Sequence, residues 1–187
     1  MEYYDQVFSS STELPANWIN QEFEQCSFQK LDLSQAALTK SSFINCTFDD
    51  CTLTKVILKE TKLYDVSFSG CKLLHVDFGQ CNPFGFHVSF KDCQLDYTVF
   101  IDRKLRKAHF ADCSLREAHF FKCDLVGTSF KNCNLELARF ENNDLSQVDF
   151  STSYNLKLDP EQNKIKKAKF SLYNLPGLLE KYELVIK

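Results

Sequence analysis

Large apolar residues recur at every fifth position along most of this chain. Between Phe90 and Phe150 the spacing holds without exception, and the series reads Phe90, Leu95, Phe100, Leu105, Phe110, Leu115, Phe120, Leu125, Phe130, Leu135, Phe140, Leu145, Phe150. A small residue such as Cys93 or Ala108 stands two positions before most of these, and the other three positions are mainly polar. A period of five matches neither the 3.6 residues of a helix nor the two of a strand. It predicts a chain that turns a corner every five residues and becomes stable by stacking its turns, as in a solenoid.

The same spacing occurs earlier in the chain in a different frame. Its members are Phe23, Phe28, Leu33, Leu38, Phe43, Phe48, Leu53, Leu58, Leu63, Phe68, Leu73 and Phe78. Phe78 and Phe90 are twelve positions apart rather than ten, so two residues are inserted around residues 82–86. Because that segment carries two phenylalanines and does not read as a polar linker, we interpret it as a loosened corner within one solenoid.

The cysteines indicate how many sides make one turn. All nine occupy the small inward position: Cys26, Cys46, Cys51, Cys71, Cys81, Cys93, Cys113, Cys123 and Cys133. Within a frame, four pairs are 20 apart and no pair is 15 apart. With four sides per turn, phenylalanine stacks on phenylalanine and leucine on leucine. With three sides per turn, phenylalanine would stack on leucine throughout the second half of the chain. The pattern therefore predicts a four-sided coil.

The repeating unit also resembles a known family. Its order is a small residue, a polar residue, Leu or Phe and two polar residues, as in the triplets Ala36-Ala37-Leu38, Cys123-Asp124-Leu125 and Asn143-Asp144-Leu145. This pattern resembles that of pentapeptide-repeat proteins over roughly residues 23–175. The resemblance implies an all-β fold, namely a right-handed quadrilateral β-helix. We expect a short helix to follow it at the C-terminus.

We expect residues 1–187 to form a single pentapeptide-repeat domain of about seven coils. Residues 1–22 are assigned to an N-terminal cap, 23–78 and 90–150 to the repeat coils, and 79–89 to the frame break. Residues 151–187 are assigned to the last coil and the C-terminal helix and tail. A hydrophobic fraction of 44% is sufficient for a continuous core.

The sequence also bears on the cellular compartment, on the state of the cysteines and on metal binding. The chain has no run of 18 apolar residues, and residues 1–5 lack the features of a signal peptide, so we expect a cytoplasmic protein without a membrane span. A disulfide between stacked neighbours is conceivable, but in that compartment we expect free thiols. Cys93 and Cys133 would lie roughly 10 Å apart on a straight stack, too far for one zinc ion. We expect no metal and no cofactor.

Enzyme and nucleic-acid-binding functions find little support. The chain has no glycine-rich phosphate loop, H-E-x-x-H motif or nucleophile elbow. Its four histidines are expected to be solvated, with no carboxylate or cysteine aimed at them. Arg103 stands at a position that in other repeats holds a small, inward-facing residue. We expect its guanidinium to lie at a solvated corner beside Arg106 and Lys107. The alternative is that these basic residues form a contact patch for a partner. The net charge of −3 argues against direct nucleic-acid binding.

The C-terminal segment changes from the five-residue spacing to a helical one. Asn174 is a candidate N-cap, and Pro176 fits a first helical turn. The apolar residues of the segment are Leu175, Leu178, Leu179, Tyr182, Val185 and Ile186. They predict the interface of a homodimer, and an intramolecular cap on a monomer is the alternative.

The tail carries a second resemblance within the family. Leu158-Asp159-Pro160, residues 163–170 and Gly177-Leu178-Leu179 resemble the C-terminus of the branch that contains quinolone-resistance and gyrase-inhibitor-immunity proteins. The resemblance implies a rod that dimerises through its C-terminal helix and imitates duplex DNA to bind DNA gyrase or topoisomerase IV. The candidate partner-facing acidic residues are Asp49, Asp50, Asp65 and Asp77. A structural scaffold for another cytoplasmic protein is the alternative, because lysines such as Lys59, Lys62 and Lys72 interrupt the acidic surface.

Overall fold

Each five-residue unit forms one side of a coil, and a left-handed residue turns the chain at the corner. The computed structural model describes residues 1–12, 14–15 and 17–185. Positive φ angles recur every five residues, as at Gln25 (56°), Lys30 (53°) and Gln35 (59°). This conformation costs energy for a residue with a Cβ. Backbone hydrogen bonds between coils offset the cost; the amide of Lys30, for example, donates to the carbonyl of Asp49 at 2.9 Å.

The sides stack into parallel sheets that run along the rod. The described residues form sixteen strands: β1 (Glu2–Tyr4), β2 (Val7–Phe8), β3 (Glu22–Glu24), β4 (Ser27–Gln29), β5 (Ser42–Ile44), β6 (Thr47–Asp49), β7 (Lys62–Tyr64), β8 (Val66–Ser69), β9 (Val88–Lys91), β10 (Val99–Ile101), β11 (His109–Ala111), β12 (His119–Phe121), β13 (Ser129–Lys131), β14 (Arg139–Glu141), β15 (Asp149–Phe150) and β16 (Lys169–Phe170). All strand pairs are parallel.

Four faces result, which we number in the order in which the chain visits them. Face 1 contains β1, β3, β5 and β7 and continues through bridges from Lys104 to Lys164; face 2 is the nine-stranded sheet from β2 to β16. Face 3 consists of isolated bridges between Asp32 and Tyr154, and face 4 contains β10, β12 and β14. Faces 2 and 4 are therefore opposite each other.

The register confirms four sides per turn. Phe110 pairs with Phe130, twenty residues on, whereas Phe68 pairs with Phe90 across the frame break, twenty-two residues on. The two extra residues are absorbed by a 3₁₀ turn at Phe78–Gln80 and the loop that follows it, so β8 and β9 remain neighbours in one sheet. The fold is a parallel β-helix of about eight turns, rather than the seven expected. The first coil already begins at Glu2, where β1 pairs with β3.

Stacked phenylalanines fill the interior. On face 2, the rings of Phe28 and Phe48 stack at 4.5 Å, and on face 4 those of Phe100 and Phe120 stack at 4.8 Å. Rings of adjacent coils on opposite faces meet edge to face, as Phe120 and Phe130 do at 5.8 Å and 87°. Both arrangements are favourable for aromatic pairs. Trp18 is partly buried and packs beside the ring of Phe8 at the start of the face 2 stack.

A short helical segment closes the C-terminal end. It comprises a 3₁₀ turn at Leu172–Asn174, the helix α1 at Leu175–Leu179 and a second 3₁₀ turn at Glu180–Tyr182. Asn174 stands at the N-cap position of α1, as predicted, but its side chain makes no capping hydrogen bond. Its amide nitrogen instead donates to the carbonyls of Phe150 and Ser153, each at 3.1 Å, much as Asn143 and Asn163 donate to the carbonyls of Phe120 and Phe140 in earlier coils.

Candidate binding surfaces

The filled interior leaves the outer faces to carry any activity. The largest side chains of the core, including Phe100, Phe120 and Phe130, are fully buried. Among the described residues, no group of three or more His, Cys, Asp or Glu side chains is placed to hold a metal ion. No helix in that part of the chain has the length and apolar character needed to cross a bilayer.

The cysteines belong to the core. All nine are buried and free, and the Sγ of Cys71 donates to the carbonyl of Phe48 in the preceding coil at 3.2 Å. Burial raises the pKa of Cys46 and of Cys81 to about 12. Because the thiolate is the reactive form, these thiols are unreactive near neutral pH.

The four candidate acidic residues do not share one face. Asp49 lies on face 2, Asp50 at the corner between faces 2 and 3, and Asp65 at the corner between faces 1 and 2. Asp77 lies on face 4, on the opposite side of the rod. Its carboxylate accepts hydrogen bonds from the amide of Gly79 and from the side chain of Gln80, both at 2.9 Å. Asp77 thus stabilises the 3₁₀ turn at the frame break, whereas the other three flank face 2.

Two histidines contact carboxylates, which corrects the expectation that none does. His87 Nδ1 lies 2.6 Å from Asp65 Oδ1, and His119 Nε2 lies 3.6 Å from Glu141 Oε2. The twenty-two-residue register across the frame break stacks His87 directly on Asp65. The pair of His87 and Asp65 could have been found from the sequence by adding the two inserted residues to the twenty-residue repeat.

Arg103 is also placed differently from the expectation. Its side chain is buried rather than solvated; Nε donates to the carbonyl of Ile101 at 2.9 Å and Nη1 to that of Cys81 at 2.8 Å. The guanidinium lies 5.7 Å from the ring centroid of Phe86, a cation–π contact. A buried charge requires such partners. Arg103 therefore bonds carbonyls at the frame break and presents no basic group to a partner.

The candidate dimer residues are mostly exposed. Leu175, Leu179, Tyr182 and Val185 lie on the surface, whereas Leu178 is buried in the chain's own core. Ile186 lies outside the described residues. Leu172 and Tyr173, just before these residues in the chain, are also exposed, at 83% and 95%.

Ion pairs fix the C-terminal segment to the last coil. Lys181 Nζ lies 2.7 Å from Asp159 Oδ1 and 2.6 Å from Glu161 Oε2, and Tyr182 donates to Glu161 at 2.7 Å. These contacts lower the pKa of both carboxyl groups. The exposed leucines are thus held in place against the end of the rod.

A stack of four-sided coils with a filled interior defines a parallel β-solenoid. The family model for the pentapeptide repeat region matches residues 21–100 and 100–170. The chain therefore belongs to the pentapeptide-repeat family, as its five-residue unit indicates. The match spans the frame break, so both frames are part of the repeat region.

Solved structures show similar chains. A trypsin-treated variant of QnrB1, described as a plasmid-mediated fluoroquinolone resistance protein, is 17% identical, with 100% of this chain and 98% of that one covered and a TM-score of 0.44. Rfr23, a pentapeptide-repeat protein from the cyanobacterium Cyanothece 51142, is 9% identical, with 91% of each chain covered and a TM-score of 0.32. A pentapeptide-repeat protein from the thylakoid lumen of Arabidopsis thaliana is 19% identical, with 64% of this chain and 68% of that one covered and a TM-score of 0.31. A search of curated proteins found no match.

Proposed function

We propose that the protein is a non-enzymatic binding protein of the cytoplasm, with DNA gyrase or topoisomerase IV as its partner. The observation that carries this proposal is the division between a filled, apolar interior and largely polar outer faces. Recognition then depends on the charge and shape of a face. The partner class comes from the tail resemblance to quinolone-resistance and gyrase-inhibitor-immunity proteins.

The charge distribution supports DNA mimicry by the N-terminal half. Residues 1–86 contain 11 acidic and 6 basic residues, whereas residues 151–187 contain 4 and 7. Enzymes that act on duplex DNA present lysine and arginine to the phosphate backbone, and they would meet carboxylates here instead. Asp49 and Asp50 on one side of the rod, with Asp65 at the next corner, are the groups we assign to this contact.

A supercoiling assay tests the proposal. Purified protein should inhibit gyrase or relieve its inhibition by a quinolone, and the effect should weaken as added salt screens the charges. Replacing Asp49, Asp50 and Asp65 by asparagine should reduce the effect, whereas Glu117→Gln with Glu136→Gln on face 3 should not. Asp77→Asn is measured separately, because loss of its hydrogen bonds to the 3₁₀ turn would disturb the fold.

A scaffold for another cytoplasmic protein is the second candidate. Ion pairs between coils, such as Arg116 with Glu136 at 2.9 Å, place both signs of charge on the outer surface, unlike a phosphate backbone. Absence of any effect on gyrase or topoisomerase IV at tens of micromolar would favour the scaffold.

We further propose that two chains associate end to end through the C-terminal segment. The exposed side chains of Leu175, Leu179, Tyr182 and Val185 form an apolar surface next to the last coil. A two-fold axis would place this surface on both copies. Light scattering in about 500 mM salt, where exposed charges are screened, should give twice the 21.7 kDa of one chain. Leu179→Asp should return the mass to one chain; a variant that remains dimeric would place the interface elsewhere.

A further inference from the structure

Face 1 carries opposite charge at its two ends. The acidic end lies on the first two coils, and its exposed members are Glu2, Asp5, Glu22 and Glu24. The basic end lies beyond the frame break, and its exposed basic residues are Lys104, Arg106, Lys107, Lys164, Lys166 and Lys167. Asp124 and Asp144 lie on the same part of the face, where Arg106 pairs with Asp124 and Lys164 with Asp144, so Lys166 and Lys167 of the last coil are the cations we assign to another molecule. None of the four acidic side chains forms an ion pair with another residue that the structure describes. The carboxylates are therefore free to meet cations of another molecule.

An aromatic side chain stands between the two ends. Phe84, in the frame-break loop, is 80% exposed, and Tyr64 beside it is 43% exposed. The loop is held closely: the amide of Phe84 donates to Asn82 Oδ1 at 2.9 Å, and Gly85 lies against the Tyr64 ring. A Cβ on Gly85 would come within 2.8 Å of that ring, and its φ of 68° also favours glycine. Phe84 is thus presented outward by an ordered loop.

From these observations we propose that face 1 is a docking surface for a second copy of this chain, aligned antiparallel. A two-fold axis through Phe84 sets the first coil of one chain opposite the last coil of the other. Glu2 and Asp5 then face Lys166 and Lys167, and each chain contributes one such contact. This pairing rests on the charges of face 1 and not on the proposed partner.

The same axis also matches apolar groups. Phe84 meets its own copy at the axis, and Ile44, two coils before it, faces Val126, two coils after it. Both of these side chains are partly exposed. Opposite charges at the outermost coils and apolar groups at the centre give a self-complementary surface with an apolar core and a polar rim.

The available area is sufficient for a specific contact. About eight turns at ~4.8 Å give a face roughly 38 Å long, and five residues at ~3.3 Å give a width of at most roughly 16 Å. Two such faces would bury on the order of 1,200 Å², at the lower end of the range of stable protein interfaces. We therefore expect a reversible pair that depends on ionic strength.

Mass measurement in the full-length Leu179→Asp variant isolates this contact from the C-terminal one. At about 50 mM salt the variant should have twice the mass of one chain, and at about 500 mM it should have the mass of one chain, since the Debye length falls. A one-chain mass at both salt concentrations, at 100 micromolar protein, would overturn the proposal.

Charge exchange tests the orientation. In the same background, Glu2→Lys with Asp5→Lys reverses the charges that face the last coil of the other copy, and Lys166→Glu with Lys167→Glu reverses the charges that face its first coil. Each variant alone should pair at least about tenfold more weakly, and a 1:1 mixture of the two should recover pairing, because opposite ends then match again. Lys91→Glu with Lys131→Glu, on face 2, is the matched control and should change nothing. Failure of the mixture to recover pairing would refute the antiparallel arrangement.

A crosslink tests the axis. The nine native cysteines are buried, so Phe84→Cys introduces one accessible thiol. Mild oxidation at low salt should join two chains through this position, and Lys131→Cys on face 2 should not. Equal crosslinking of the two variants would mean that the contact is not centred on Phe84.

Discussion

Replacing Phe120 with alanine removes one ring from the middle of the stack on face 4. The ring is fully buried, lies parallel to Phe100 at 4.8 Å and to Phe140 at 4.9 Å, and meets Phe130 edge to face. Neighbouring rings are fixed to their own coils by backbone hydrogen bonds, so the space cannot close. A phenylalanine buries at least about 150 Å², which at ~25 cal/mol per Å² amounts to roughly 4 kcal/mol. We expect a loss of ~3–5 kcal/mol in the free energy of unfolding.

Denaturant titration measures this loss, and two variants serve as controls. Phe84→Ala makes the same chemical change at a side chain that is 80% exposed, so it should cost little. Cys113→Ala removes a small buried group and should cost far less than Phe120→Ala. If the losses for Phe120→Ala and Cys113→Ala were equal, the assignment of the phenylalanine stacks as the main source of stability would be refuted.

Two further predictions concern buried polar groups. Arg103→Met should cost ~1–3 kcal/mol in a denaturant titration, because it leaves the buried carbonyl of Cys81 without its donor; no loss would mean that the carbonyl is otherwise satisfied. Burial raises the pKa of the Cys46 thiol from 9.0 to about 12. Its contribution to stability is therefore present below pH 9 and is lost as the pH rises towards 12, since the unfolded thiol ionises first. A thiol reagent at pH 7 should label the protein only after denaturation, and labelling of the native protein would contradict this burial.

The regular part of the fold could be predicted from the sequence because the same residue packing is repeated in every coil. Phe110 over Phe130 follows directly from the spacing, since an inward residue must stack on its equivalent in the next coil. The inward position of Cys113 follows in the same way.

The frame break could not be predicted in this way, because its contacts are not repeated. Arg103 reaches a carbonyl twenty-two positions earlier, and the spacing of either frame alone does not bring the two together. The same applies to His87 over Asp65. At the C-terminal end, Asn174 follows a helix-capping pattern, yet its side chain bonds carbonyls of the preceding coil, as Asn143 and Asn163 do in the repeats. The candidate acidic residues were chosen by charge, which does not indicate the face on which each lies.

The second column of aromatic rings changes face along the rod. Phe23 and Phe43 stack on face 1, whereas Phe78 and Phe100 stack on face 4. The coil between them has leucine on both of these faces, at Leu58 and Leu63. Face 2 is therefore the only face on which rings stack through this coil. In a solenoid each turn is coupled only to its neighbours, so the weakest coupling sets the limits of cooperative units. We therefore expect a boundary between two cooperative segments at this coil, which amide hydrogen exchange would reveal as different protection on its two sides.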